Sequence, residues 1–258
     1  IGPGVLFAGL YIGYILIKCH LNPAAGPPPP KEKELSFIEK LRLLKSLALP
    51  VLLILFVMGS IFAGIATPGE AAGIGVLGSI ICALIKRRLT WKALKQSLYD
   101  TMKTCGILFW IVFGAMTFIA VFSLGGGSEF VKEFIMGLEL NRWAILIIMQ
   151  LVILGLGMVL DSVGITVLLA PIMAPIVKSL GFNPLWFGVI FNLNIQIAYC
   201  SPPFGYSMFY LKAVAPDDVT MKDLYRSVLP YIGLQLLGMA ICMIFPQIIL
   251  WLPNVLSN

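Results

Sequence analysis

The chain has 258 residues, of which 59% are hydrophobic and only 12% are charged, with a formal net charge of +6. This composition excludes a soluble globular domain and is typical of a polytopic membrane protein. The apolar runs lack the alternation of barrel strands, which excludes a transmembrane β-barrel, and the basic residues indicate membrane topology, with no nucleic acid as a partner.

Residues 1–20 predict a transmembrane helix, because about 20 apolar residues cross the hydrocarbon core. The sequence starts at Ile1 without the charged segment and cleavage site of a signal peptide, so we expect it to be a fragment of a longer protein. Residues 21–35 contain NPAAGPPPPKEKE, a composition that predicts a proline-rich cytoplasmic linker.

Residues 36–103 predict amphipathic arm helices and scaffold spans. The segment 36–48 has apolar residues on one helical face, which suits a helix on the membrane surface, and it runs into a span at about 47–66. A second span covers 71–85, and 90–103 form a basic amphipathic connector. Thr67 and Glu70, just before the second span, have the spacing of a capping box.

Residues 104–227 predict a unit that contains two interrupted apolar segments. A span at 104–123 is followed by a re-entrant hairpin at about 143–180 and then by a broken helix at about 184–214. Residues 228–258 predict the final span and a tail. The expected fold class is therefore an all-α polytopic membrane protein with a re-entrant hairpin and a broken transmembrane helix.

The distribution of basic residues supports this path through the membrane. All but three of the 18 Lys and Arg residues fall on one side, which the positive-inside rule assigns to the cytoplasm. The three on the other side are Lys132, Arg142 and Lys178. This assignment of basic residues to the two sides requires the chain to turn back between Asp161 and Lys178. The predicted hairpin tip therefore lies at Asp161-Ser162-Val163-Gly164.

The broken helix contains Pro202 and Pro203 within AYCSPPFGYSMFY. Proline has no N–H, so the carbonyls of Ala198 and Tyr199 lose their helical partners. Together with the Ser201 hydroxyl they form a candidate ligand set for an alkali cation, since hard cations prefer oxygen ligands and transporters supply them from unwound backbone. The alternative is a proline kink that is satisfied by neighbouring helices or by water.

Asp161 is a carboxylate inside an apolar run, which costs roughly 2.5–3.5 kcal/mol on insertion scales and commonly marks an ion or substrate pathway. Alternatively, Asp161 or Ser162 caps the returning helix, and both roles can hold together. Asn192 and Gln196 share a helix face. With Asn194 they either bond neighbouring helices or line a polar cavity.

The cysteines and the histidine do not indicate a metal site or a disulfide framework. The five cysteines show no CxxC spacing, and His20 is the single histidine, so neither a zinc site nor a disulfide framework is expected. Two alternatives to a transporter remain open, an intramembrane aspartyl protease and a non-transporting structural membrane subunit. The protease would need a second intramembrane carboxylate besides Asp161.

Three segments resemble the carboxyl-terminal half of the large membrane subunit of tripartite ATP-independent periplasmic (TRAP) transporters. They are TPGEAAGIG (67–75), LDSVGITVLLAPIMAPIVKSLGFNPLWFG (160–188) and NIQIAYCSPPFGYSMF (194–209). The resemblance implies one inverted-repeat half of an elevator-type ion transporter fold, in the bacterial inner membrane. It further implies sodium-coupled uptake of a small organic anion of the carboxylate class, with no enzymatic activity and no organic cofactor.

The partners implied by the resemblance are the missing amino-terminal half of the large subunit, a small four-helix membrane subunit, a periplasmic substrate-binding protein and the lipid bilayer. The implied sodium ligands are Asp161, Val163, Gly164, Thr166, Ala198, Tyr199, Ser201 and Pro203. The implied substrate-binding residues are Asp161, Ser162, Asn192, Asn194, Gln196 and Ser201. Ala198 stands where the family usually has Gly, and Ser201 where it has Thr; carbonyl ligation survives both changes, and Ser keeps a hydroxyl.

Overall fold

A computed structural model describes residues 1–23, 26, 37–137, 139–203, 205–216 and 219–256, with backbone alone for 37–46, 136 and 256. The predicted linker at 21–35 therefore lies mostly outside the described residues. Within those ranges the chain is helical, which confirms the all-α class. The helices are α1 (Gly2–Leu21), α2 (Phe37–Phe62), α3 (Pro68–Ile85), α4 (Trp91–Leu124), α5 (Gly127–Met136), α6 (Arg142–Gly157), α7 (Ser162–Ser179), α8 (Pro184–Cys200), α9 (Tyr206–Val214), α10 (Met221–Ile244) and α11 (Gln247–Leu256).

Five of the described helices are long and apolar enough to cross a membrane: α1, α3, α4, α7 and α10. The chain divides into two compact units, of which unit 1 comprises Ile1–Gly26 and Ile107–Asn258 and unit 2 comprises Pro27–Gly106.

Two helices are longer than the sequence predicts. The connector at 90–103 and the span at 104–123 form one helix, α4, of 34 residues. Because the junction contains no proline, nothing ends the helix there, and about 51 Å of helix results at 1.5 Å per residue. The predicted surface helix at 36–48 likewise continues without interruption into α2, whose Pro50 lies inside the helix.

The final span, which the sequence predicts at 228–252, ends earlier than expected. α10 ends at Ile244 and α11 begins at Gln247. Pro246 lies between them, and a proline ring removes one helical hydrogen bond and clashes with the preceding turn. The break at Pro246 follows from the same rule that predicts the break at Pro202.

In unit 2, α2 and α3 pack closely against each other. A Cβ at Gly78 would clash with Leu53, so this glycine permits the close approach. The predicted capping box is confirmed at the start of α3, where the Thr67 N–H donates to the Glu70 carboxylate at 2.7 Å and the Glu70 N–H donates to the Thr67 hydroxyl at 3.4 Å.

Unit 1 is built around α8, which contacts α6, α7, α9, α10 and α11. Its Ile190 is fully buried, and the indole N–H of Trp186 donates to the Cys242 carbonyl at 3.1 Å, which joins α8 to α10. Burying such aliphatic and aromatic side chains stabilises each by about 1.5–3 kcal/mol. The two interrupted segments are thus held on a packed core, in which α6, α7 and α9 all contact α8.

Candidate functional site

The first element of the site is the turn between α6 and α7, residues 158–161, called here the tip turn. Asp161 is the N-cap of α7, and its Oδ2 accepts a hydrogen bond of 3.0 Å from the Val163 N–H. Ser162, Val163 and Gly164 therefore lie in the first turn of α7. This corrects the predicted tip at 161–164, because a capping aspartate starts the helix at the next residue.

The second element is the interruption between α8 and α9, residues 201–205, called here the helix break. α8 ends at Cys200 and α9 begins at Tyr206, and the peptide bond between Pro202 and Pro203 is cis. Gly205 has φ +51°, a left-handed conformation that favours glycine. The helix is therefore interrupted here, as the candidate ion site requires.

Both backbone carbonyls that were expected to be free at the break accept hydrogen bonds. The Ala198 carbonyl accepts from the Ser201 N–H at 3.0 Å, and the Tyr199 carbonyl accepts from the Ser207 hydroxyl at 3.2 Å. The Ser201 hydroxyl itself donates to the Ile197 carbonyl at 2.8 Å. This corrects the expectation of two freed oxygens, although each carbonyl keeps a second lone pair and the Ser201 hydroxyl remains an acceptor.

Two tyrosine side chains, one on each side of the helix break, contact the tip turn. The Tyr199 hydroxyl donates to Asp161 Oδ1 at 2.7 Å, lies 3.2 Å from Ser162 Oγ and accepts from the Ser162 N–H at 3.4 Å. The Tyr206 hydroxyl donates to the Val159 carbonyl at 3.3 Å. The two rings lie 5.2 Å apart between centroids, and we call them the tyrosine pair.

The backbones of the two elements also approach closely at the end of α6. A Cβ built on Gly157 would lie 2.6 Å from the Ala198 Cβ, a distance that real Cβ atoms do not reach. Gly157 and Ala198 are both buried. The end of α6 therefore lies close to the last turn of α8, and the tyrosine pair contacts the tip turn from both sides of the helix break.

Two small cavities lie beside this contact and share Ser162, Asn192 and Ile195 in their linings. One, of about 310 Å³, is also lined by Gln196, Tyr199, Cys200 and Ser207. The other, of about 260 Å³, is also lined by Val163, Val167 and Thr166, whose hydroxyl donates to the Ser162 carbonyl at 2.7 Å. Six of the candidate site residues thus lie together: Ser162, Val163, Thr166, Asn192, Gln196 and Tyr199.

Asn194 does not lie with them. It is buried, and its Nδ2 donates at 2.7 Å both to the backbone carbonyl and to the side-chain Oε1 of Gln150 on α6. Residues two apart on a helix point about 200° from each other, so Asn192 and Asn194 cannot face the same cavity. Asn194 therefore joins two helices, which is the alternative role that the sequence left open.

Besides Asp161 and Ala198, whose contacts are given above, three other candidate residues lie outside the cavity linings. Ser201 is buried within the helix break, and a Cβ on Gly164 would be 3.6 Å from Ile111. The Pro203 carbonyl accepts a hydrogen bond of 3.0 Å from the Tyr225 hydroxyl. Sequence reasoning missed four groups at this site: the Tyr199 hydroxyl, Tyr206, Cys200 and Ser207. The pair of tyrosines could have been noticed, because they lie seven residues apart on either side of a double proline.

The chain matches known proteins over nearly its whole length. Residues 1–248 match the family described as "Tripartite ATP-independent periplasmic transporter, DctM component". The chain is 27% identical over 276 residues to the C4-dicarboxylate TRAP transporter large permease protein DctM of Vibrio cholerae, which covers 99% of this chain and 60% of that protein. It is 31% identical over 258 residues to the ectoine/5-hydroxyectoine TRAP transporter large permease protein UehC of Ruegeria pomeroyi, covering 98% of this chain and 58% of that protein.

A third relative is the sialic acid TRAP transporter large permease protein SiaM of Vibrio cholerae, which is 27% identical over 217 residues, 84% of this chain and 50% of that protein. The chain spans about half the length of the curated relatives it matches. The names of these three relatives denote different transported compounds, so similarity to them does not select one substrate.

Proposed function

Because this chain belongs to the DctM family of large permease components of TRAP transporters, we propose that it carries half of the machinery for sodium-coupled uptake of a small organic anion. It is a multi-pass protein of the bacterial inner membrane, in agreement with its long apolar helices. The family assignment confirms the resemblance found in the sequence. Since the chain spans about half of its relatives, the transport activity is proposed for the complete transporter.

The observation that carries the proposal is the contact between the tip turn and the helix break. Interrupted helices inside a membrane are tolerated where protein or a water-filled cavity surrounds them, and transporters use such interruptions to bind ions and substrates. Here the Tyr199 hydroxyl joins Asp161, 38 residues away, to the end of α8, so that the two interruptions form one polar centre.

The oxygen atoms at this centre suit an alkali cation. The carbonyls of Ala198 and Tyr199, the Ser201 hydroxyl and the Asp161 carboxylate are hard oxygen donors, and sodium would be held by their remaining lone pairs. The Ser201 and Ser207 hydroxyls can keep donating to the Ile197 and Tyr199 carbonyls while sodium is bound. We propose four further sodium ligands: the Thr166 hydroxyl and the backbone oxygens of Val163, Gly164 and Pro203.

The cavities beside the centre suit the substrate. Ser162, Asn192, Gln196 and Ser207 supply neutral hydrogen-bond donors and acceptors around about 310 Å³. The amino-terminal end of α7 adds the positive end of a helix dipole, which favours a carboxylate. Two of the relatives are named for C4-dicarboxylates and for sialic acid, which are carboxylates, and this supports an organic anion as substrate.

We further propose the partners of the family for this chain. They are the other half of the large permease, a small membrane subunit and a periplasmic substrate-binding protein, and the movement is of the elevator type. Transport is favoured over proteolysis because both Asp161 carboxylate oxygens already accept hydrogen bonds, from the Val163 N–H and the Tyr199 hydroxyl. A carboxylate so engaged suits a structural and ion-binding role rather than general acid or base catalysis.

Uptake by the reconstituted transporter tests the proposal. The complete large permease is combined with the small membrane subunit and the binding protein in liposomes, and uptake of candidate carboxylates is measured with an inward sodium gradient. We expect uptake to stop when potassium replaces sodium. Uptake that continues undiminished in potassium would contradict sodium coupling, and uptake that requires neither gradient nor binding protein would contradict the transporter type.

A further inference from the structure

Unit 2 contains a groove of about 770 Å³ between α2, α3 and the first turns of α4. Its walls are mostly aliphatic, with Leu53 and Val57 on α2 and Leu94 and Leu98 on α4. One face of α3 supplies the remaining wall: Ala72, Gly75, Val76, Ser79, Ile80 and Ala83. No side chain of the described residues fills this space, although the helices around it are apolar.

The length of the groove matches one leaflet of a bilayer. Ala72 and Ala83 are eleven residues apart on α3, which corresponds to about 16 Å at 1.5 Å per residue. The hydrocarbon core of a bilayer is about 30 Å thick, so a single leaflet is about 15 Å thick. An acyl chain of a phospholipid would therefore occupy the groove from its mouth to the middle of the membrane.

The mouth of the groove is positively charged. Arg88 lines the groove at the end of α3, and it is preceded by Lys86 and Arg87 and followed by Lys92 and Lys95 on α4. These five side chains are exposed and make no ion pair within the described part of the chain. No Asp or Glu occurs between residues 86 and 99. A cluster of this size directly beyond a transmembrane helix on the cytoplasmic side attracts anionic lipids.

Trp91 also indicates that the basic cluster lies at the membrane surface. Its side chain is 78% exposed at the first residue of α4, between Arg88 and Lys92 in the sequence. Tryptophan is enriched at the level of the lipid headgroups. The basic cluster therefore lies at headgroup level, with the groove extending from there into the hydrocarbon.

We propose that this groove binds an anionic phospholipid of the cytoplasmic leaflet, with its phosphate at Arg88 and an acyl chain between α2, α3 and α4. Arg88, which lines the groove, selects the headgroup, and the aliphatic walls bind the tail. The other four basic residues attract anionic lipids to this surface in general. An apolar helix from another protein would fill the groove but would not use Arg88 or the basic residues beside it, so the charge favours a lipid phosphate. The site lies entirely within unit 2 and does not depend on the transport function proposed for unit 1.

Lipid retention tests the site directly. The intact transporter is delipidated, reconstituted into nanodiscs that contain equal amounts of phosphatidylglycerol and phosphatidylcholine, released into mild detergent and weighed by native mass spectrometry. We expect one retained phosphatidylglycerol in preference to phosphatidylcholine. Arg88→Gln is expected to reduce that preference at least tenfold, because it removes a charge-assisted hydrogen bond to the phosphate, whereas loss of a general surface charge costs only about fivefold. Lys92→Gln, which removes the same charge from a residue outside the groove lining, is the matched control.

A second pair of variants tests the tail. Ala83→Phe fills the groove and is expected to abolish retention, whereas Leu84→Phe changes the neighbouring residue, which does not line the groove, and is expected to leave retention unchanged. Equal loss with Arg88→Gln and Lys92→Gln would reduce the effect to general surface charge and overturn the proposal. Retention that survives Ala83→Phe, or a groove occupied by a partner helix in the complex, would also overturn it. The readout is bound lipid, so a failure of uptake does not affect the result.

Discussion

The Tyr199 hydroxyl donates a hydrogen bond of 2.7 Å to Asp161 Oδ1 and so joins the end of α8 to the N-cap of α7. Asp161 uses its other oxygen to cap α7, and Tyr199 uses its backbone carbonyl to accept from Ser207. Each of the two residues therefore has one contact within its own interrupted segment and one across to the other. Displacing the tip turn would break a charge-assisted hydrogen bond, which is roughly twice as strong as a neutral one.

Removing the Tyr199 hydroxyl should weaken sodium binding without unfolding the protein. In Tyr199→Phe the ring contact with Tyr206 remains, but the tip turn loses its bond to the break, and we expect the sodium concentration for half-maximal uptake to rise about tenfold, the equivalent of about 1.4 kcal/mol. Tyr210→Phe, at an exposed position on α9, is the control and should match the wild type. An unchanged sodium dependence in Tyr199→Phe would mean that the bond has no part in ion binding.

Asp161→Asn separates the capping role from the charge. Asparagine caps a helix as well as aspartate does, so we expect normal expression and thermal stability. Sodium-driven uptake should nevertheless fall at least tenfold, because the carboxylate is the only charged group of the tip turn. Ser201→Ala should have a smaller effect and weaken sodium dependence only moderately. Normal uptake and sodium affinity in both variants would limit the two residues to a cap and a kink.

Adding a methyl group at Gly157 should force the tip turn away from the break. Gly157→Ala places a Cβ against the Ala198 Cβ, and overpacking of this kind costs about 1–3 kcal/mol. We expect a lower thermal midpoint for the solubilised complex and reduced uptake. The matched control is Gly155→Ala on the same helix, where the added Cβ meets nothing within 4 Å. If both variants unfold at the same temperature, the close approach does not contribute to stability.

Asn192 and Asn194 should give opposite phenotypes. Asn194→Ala removes the buried bonds to Gln150 and leaves its polar groups unpartnered, so the thermal midpoint should fall by the equivalent of about 1–3 kcal/mol. Asn192 is exposed towards the cavities, and Asn192→Ala should raise the substrate concentration for half-maximal uptake while leaving stability unchanged. The reverse pattern would place the substrate on the Asn194 side of α8.

Several features of the fold followed from local sequence. Apolar runs long enough to span a membrane predict helices, and α1, α3 and α7 lie close to where those runs indicated them. The breaks at Asp161 and at Pro202 were predicted because capping side chains and proline act on their immediate neighbours. The Pro246 break was missed although it obeys the same rule, since a single proline inside an apolar run indicates either a kink or an end.

The sequence by itself determined the class of protein, its family and the two places where its helices are interrupted, because hydropathy, proline geometry and capping depend on neighbouring residues. Only the tertiary structure decided which atoms form hydrogen bonds. The Tyr199 hydroxyl donates to Asp161, the Ser207 hydroxyl donates to the Tyr199 carbonyl, and the Asn194 amide donates to Gln150. Those contacts join residues 8 to 44 positions apart. They depend on how α6, α7 and α9 pack around α8, and that packing sets the direction of each side chain.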